Sequence, residues 1–190
     1  MTEKETIAAA VGQWESIAPE VRPGSSKNSD GSRKPFYLTR KFALSDNNQF
    51  TLIVINYADP YGKTPLVQME ISGHIEWKGE HPIKIGAQKV DFTADGNYIV
   101  TPLVKDFADI LNQYTKGFDE WEVGKGQSIL KKAFAPFGLA EGQVFKEYDL
   151  IYVYHDLLFW GARNVDGRGF DTEENRPTNL QIPMIRKTGL

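Results

Sequence analysis

The chain has 190 residues, a formal charge of -3 at neutral pH, 41% hydrophobic and 12% aromatic side chains, and no cysteine. A chain of that length buries roughly 70% of its unfolded surface, so a single domain over residues 1–190 needs no covalent or metal staple. Without cysteine there are no disulfides, zinc–thiolate or iron–sulfur centres and no thiol nucleophiles, and the scattered lysines and arginines form no basic stripe for nucleic acid.

The opening segment, MTEKETIAAAVGQW, carries mixed charge and a short apolar run from Ile7 to Val11. That run is too short for a secretory apolar core or for the ~20 residues that span a bilayer, so the expectation is a cytoplasmic protein with no membrane span. Next comes GQWESIAPEVRPG, in which Pro19 and Pro23 bracket Glu20 and Arg22 and hold the chain extended. The stretch GSSKNSDGSRK, residues 24–34, reads as a mobile, linker-like loop.

Residues 36–44 alternate, with Phe36, Leu38, Arg40, Phe42 and Leu44 on one face, which predicts a half-buried strand carrying Arg40 on its apolar side. A turn at SDNNQ leads to a strand at 50–58 that is apolar on both faces, and DPYGKTP makes a second turn. Residues 66–77 alternate most cleanly, Val67, Met69, Ile71, Ile75 and Trp77 against Gln68, Glu70, Ser72, His74 and Glu76. This one-sided pattern belongs to an antiparallel sheet. Shorter strands are expected at IKIGAQ, KVDFTA and NYIVTPL, with Asp95-Gly96 as a hairpin turn.

At residue 103 the period changes. Leu103, Phe107, Ile110, Leu111 and Tyr114 recur at three and four residues and predict an amphipathic helix. A second, shorter helix is expected in GQSILKKAFAPF, limited by Pro136, so that a helical insert covers about 103–137, with Trp121 on the loop between. Strands return at 143–154 and 157–163 around a tight turn at His155-Asp156, and a last short strand is expected at about 180–187. On the 143–154 strand Tyr148, Leu150, Tyr152 and Tyr154 share a face, and three phenols there suit a cavity wall. The predicted fold is mainly β: an antiparallel, closed or nearly closed barrel with one or two inserted helices. Closure removes exposed edges, and about eight strands enclose room for one small ligand.

Two features resemble the lipocalin and calycin pattern: Gly12-x-Trp14 ahead of the first strand, and Arg186 near the end of the chain. The resemblance implies that the basic side chain stacks over the tryptophan and closes the barrel bottom. Trp14, Ser16, Glu20-Val21-Arg22-Pro23, Leu38-Thr39-Arg40, Tyr57-Ala58-Asp59 and Pro65 are similar to the domain of the adenomatosis polyposis coli down-regulated family. Asp149-Leu150, Leu157-Leu158-Phe159, Gly161 and RPTNLQIP (176–183) resemble that domain's closing strands. The similarity spans nearly the whole chain except the helical insert. It implies a lipocalin-like β-barrel with an apolar cavity for a lipid-like group. Where that family carries cysteines this chain has Pro19 and Gly62, and their joint absence fits a reducing compartment.

The candidate ligand-binding residues are Glu20, Arg22, Arg40, Tyr57, Asp59, Trp77, Tyr98, Trp121, Tyr152, Tyr154 and Trp160. Arg22 and Arg40 have two readings: cations that meet a ligand anion, or structural groups, with Arg40 paired to Glu20 or Asp59 and Arg22 held over an aromatic face. The aromatics read equally as pocket wall or packed core. His74, Glu76, Glu80 and His81 fall on a polar strand face and a turn, and His155-Asp156 on a hairpin turn, so neither a metal site nor a catalytic dyad is expected. The chain holds no nucleophile elbow, P-loop, dinucleotide fingerprint or HExxH, and no cofactor is expected. The leading expectation is binding of a hydrophobic or amphipathic, lipid-like small molecule, with no nucleic acid and no named protein partner. Its alternatives are an isomerase- or cyclase-type enzyme acting on a hydrophobic precursor by positioning, and an interaction module docking through its helical insert.

Overall fold

The structure, a computed structural model, describes residues 2–187. These residues form two α-helices and one ten-stranded sheet in which every strand pairing is antiparallel. Helix α1 (Glu3–Ala10) begins with a capping box, the Thr2 hydroxyl accepting from Glu5 N–H and the Glu5 carboxylate from Thr2 N–H. Strands β1 (Gly12–Ser16) and β2 (Glu20–Lys27) follow one another along a single edge of β3 (Arg33–Leu44), with Trp14 opposite Phe42 and Glu20 opposite Leu38.

From β3 the sheet runs as a meander through β4 (Gln49–Tyr57), β5 (Pro65–Glu80) and β6 (Gln88–Pro102). The early half of β6 pairs with β8 (Lys146–Tyr154) and its later half with the short β7 (Gln127–Ser128). Strands β9 (Leu157–Trp160) and β10 (Met184–Arg186) continue from β8, and β10 returns to β1 with Arg186 opposite Trp14. The hydrogen-bonded path therefore closes into a ring. Among the described residues no helix is long and apolar enough to cross a membrane.

Four local expectations are corrected. The Asp95-Gly96 pair makes no hairpin: β6 runs through it, and residues 94–96 bulge opposite Gly73 because Asn97 pairs with Ser72 and Thr93 with His74. Gly73 is required there, since an added Cβ would lie 1.9 Å from the Thr93 carbonyl oxygen. Residues 83–87 form turns rather than a strand. The second helix is absent from residues 126–137. Gln127 and Ser128 join β6, and left-handed backbone at Lys131 and Gly138 limits the rest to turns and a short 3-10 segment, Ala135–Phe137. Residues 24–34, read as a loop, instead form the end of a hairpin in which β2 and β3 meet at Lys27 and Arg33, with Asp30 accepting from Ser32 in the turn.

The core fills both ends of the ring. At one end Phe42 meets Phe92 and Trp160 edge to face, as Phe50 meets Phe92, and Phe92 and Trp160 lie tilted with centroids 4.8 Å apart. Trp14 lies beneath them, its indole N–H donating to the Ala10 carbonyl. At the other end, α2 (Lys105–Tyr114) and the segment after it bury Leu111, Trp121, Ile129 and Phe134 against the same core. Ile110 and Tyr114 of α2 face solvent.

The expected stack closes the ring. The Arg186 guanidinium lies 4.1 Å from the Trp14 ring centre and donates to the Ala9 and Val11 carbonyls at the end of α1. Arg186→Met keeps the length but loses the charge, the donors to the Ala9 and Val11 carbonyls and the ion pair with Asp156. It is expected to lower the unfolding free energy by about 1–3 kcal/mol in urea titration, and an unchanged midpoint would show that the stack contributes nothing.

Candidate functional site

Between the two plugs lies a cavity of about 440 Å³. Its wall comes from the alternating positions of the long strands: Leu38 and Arg40 on β3, Leu52, Val54 and Asn56 on β4, Met69 and Ile71 on β5. Register puts Arg40 opposite Val54 and Val54 opposite Met69, so one row of side chains circles the cavity. Tyr98, Phe137 and Phe145 cover the side nearest the insert, and Trp160 forms the floor. One sector of the wall is not strand. Strand β2 has no second strand partner among the described residues, and the stretch after β9 fills the gap between β2 and β8. Tyr148 N–H donates to the Phe170 carbonyl there, and Arg163 and Phe170 reach the cavity.

The charged groups meet on this side. Glu20, 4% exposed, accepts from Arg22 Nε at 2.7 Å and from Arg40 Nη2 at 2.6 Å, both through Oε1. Arg22 also lies 5.6 Å over the Phe170 ring, and Arg40 4.3 Å over Trp160. Both structural expectations for these arginines hold: Arg40 takes Glu20 rather than Asp59, and Arg22 sits over an aromatic. Nη1 and Nη2 of Arg22, and Nε and Nη1 of Arg40, have no hydrogen-bond partner among the described residues. Burial pushes the Glu20 carboxyl up and the Arg22 guanidinium pulls part of that back, leaving it above its ordinary value; the two guanidinium donors on Oε1 favour its ionised form.

Two further carboxyls lie on β8. Glu147, opposite Phe92, faces the cavity with no hydrogen bond or ion pair among the described residues. Burial pushes its carboxyl up, Arg22 and Arg163 pull it back, and Glu20 raises it further. Asp149 is fully buried, its Oδ1 accepting from the Leu150 and Gly161 N–H groups and its Oδ2 without a partner. Burial, helped by the Glu147 charge, pushes Asp149 up to about 8 against those two donors.

Of the candidate residues, the structure brings Glu20, Arg22, Arg40, Tyr98 and Trp160 together at the cavity. The others lie elsewhere. Tyr57 shares a hydrogen bond with Thr39, and Asp59 caps its own turn by accepting from Tyr61, Lys63 and Thr64 N–H. Trp77 donates to Asn48, and Trp121 is buried in the insert with Asn112 and Thr115. Tyr152 packs on Phe159, and Tyr154 stands beside His155 at the turn. The expected face of β8 is reversed, because Ile151 pairs with the inward Trp160 and so puts Glu147, Asp149 and Val153 inside. Glu147, Arg163 and Phe170 are among the cavity residues that the sequence did not single out. The in-phase Ile151 and Val153 were the available signal for Glu147, whereas Arg163 and Phe170 lie in a segment without periodicity.

A comparison of the chain with models of known protein families finds no match.

Asp149 gives a pH test. A carboxyl near 8 when folded and at its ordinary 3.8 when unfolded takes up a proton on folding between those values. The stability it contributes is therefore full below its unfolded pKa and lost as pH rises through its folded one. Asp149→Asn keeps the Oδ1 acceptor. It is expected to melt higher than the parent at about pH 8 and to lose that advantage toward about pH 4; a difference independent of pH refutes the assignment.

Proposed function

We propose that the closed strand ring is a lipocalin-like β-barrel and that its cavity takes up a hydrophobic or amphipathic, lipid-like small molecule. The observation that carries the reading is the cavity itself: about 440 Å³, walled by Leu38, Leu52, Val54, Met69 and Ile71, with unpartnered guanidinium donors on one side. Ligand sites combine apolar walls with a few convergent polar groups in this way. Trp14 under Arg186 supports the lipocalin likeness. Glu20, Arg22 and Arg40, which carry much of the resemblance to the adenomatosis polyposis coli down-regulated family, are the residues that meet at this cavity. A cysteine-free chain loses nothing in a reducing cytoplasm, and that is the compartment proposed.

A second reading draws on Glu147. A carboxyl raised by burial and aimed into an apolar cavity is placed to donate a proton, so an isomerase or cyclase reaction on a bound hydrophobic precursor fits the same space. Product beyond one equivalent per protein, lost in Glu147→Gln, would favour catalysis; binding without turnover favours the carrier.

The binding reading has a direct test. Native mass spectrometry of protein incubated with an extract of its host is expected to retain a small molecule. A saturating ligand at a hundredfold excess over Kd adds about 2.7 kcal/mol to stability, so the melting temperature is expected to rise by several degrees. Val54→Phe fills the cavity from the middle of its wall and is expected to abolish that rise while still folding. Retention of no ligand, together with no shift from fatty acids or terpenoids, overturns the proposal.

A further inference from the structure

The charges around the cavity do not cancel without Glu147. Arg22 and Arg40 share one carboxylate oxygen, so this buried trio carries a surplus positive charge. Lys146, on the rim, lies 3.3 Å from Asp91, a carboxylate it shares with Arg176 at 2.7 Å, and stands 5.0 Å over the Tyr148 ring, away from the trio. Arg163 at the mouth is acted on by Glu147 and, less strongly, by the exposed Asp171, and its guanidinium donates to the Gly167 carbonyl. Glu147 and the Tyr98 phenol, which burial and Glu147 hold neutral, are the remaining titratable groups on the wall, and Asp149 lies fully buried on the same strand as Glu147. When Glu147 is ionised it cancels the surplus; when it is protonated, a positive charge with free N–H donors faces an apolar chamber.

Resting on the reading of the cavity as a binding site, we propose that its ligand is an amphipathic carboxylate taken up together with a proton. The headgroup docks on the free guanidinium N–H groups of Arg22 and Arg40, and the proton resides on Glu147. A single surplus charge matches a monoanion, and the guanidinium fork fits a carboxylate. The tail lies along Leu38, Val54 and Met69. Glu147 cannot share the chamber as an anion with a second carboxylate at low cost, because like charges in a site of low dielectric push one another toward the neutral form. The raised carboxyl of Glu147, held up by burial and by Glu20 against Arg22 and Arg163, agrees with this arrangement.

Calorimetric titration of the intact protein with lauric acid, lauryl alcohol and laurylamine tests it, run in two buffers of different ionisation enthalpy from about pH 6 to about pH 9. Lauric acid is expected to bind at least tenfold tighter than the alcohol and, at pH values where Glu147 is ionised in the free protein, to draw one proton from buffer. Its affinity is expected to fall by roughly tenfold per pH unit once Glu147 titrates, while the alcohol stays level. In Glu147→Gln, an isosteric change, lauric acid is expected to remain tight with no proton uptake and a flat pH profile. Alcohol or amine binding as tightly as the acid overturns the headgroup assignment and leaves the cavity reading standing. Tight acid binding with no proton uptake at any pH in the series overturns the role of Glu147. Failure of all three probes to bind at any pH overturns the cavity reading itself.

Discussion

The closed ring and the chamber inside it depend on the return of β10 to β1. A β-sheet that stops short of closure leaves a row of unpaired N–H and C=O groups and an open flank to its core. Here a three-residue strand supplies the last ladder, too short to hold by its backbone bonds alone. The Arg186 side chain compensates by stacking on Trp14 and by bonding the final carbonyls of α1, so that helix, first strand and last strand share one fastening. Trp14 in turn donates to Ala10, which places the aromatic floor of the cavity on the same support. Closure at one end thus allows a chamber to persist toward the other.

The chamber's polar side follows from how β2 is placed. Because β1 and β2 occupy successive parts of one edge, β2 diverges from the ring where β1 joins it, and Glu20 and Arg22 arrive on the same inward face two residues apart. Arg40 reaches them from β3. Three charges that would be costly singly are tolerated as a bonded group, yet the arithmetic of two guanidiniums on one carboxylate leaves positive potential directed at an apolar space. Such an arrangement adds little to stability that apolar residues would not supply, which makes function the better account of its presence.

Much of the architecture was legible from the pattern of residues. Strands β3, β4 and β5 bury one face and read clearly, and the inward set Phe36, Leu38, Arg40, Phe42 and Leu44 was assigned with the correct phase. Strand β8 was not, because its outer Leu150 is as buried as its inner Ile151: the tail lies over it, with Arg176 donating to the Val90 and Asp149 carbonyls. Alternation carries no sign when both faces are covered. Asp95-Gly96 misled for a different reason. The local turn preference is real, but pairing with β5 on one side and β8 on the other outweighs it, and the glycine is spent on a bulge against Gly73. The site was legible on β2, β3, β6 and β9, at Glu20, Arg22, Arg40, Tyr98 and Trp160, and illegible at Glu147 on the doubly covered β8 and where an irregular segment delivers Arg163 and Phe170.

Joining Trp14 to Arg186 has a kinetic side. The contact that seals the sheet links opposite ends of the described chain, so the loop-closure entropy for nearly the whole molecule falls on the last pairing to form. Before that pairing, β1 and β9 present raw edges and the aromatic floor is uncovered. The meander from β3 to β6, held by contacts between neighbours in sequence, is the part able to assemble first. During synthesis the ring stays an open sheet until residues 184–186 have emerged, and that interval is when the protein is most exposed to edge-to-edge association with its own copies.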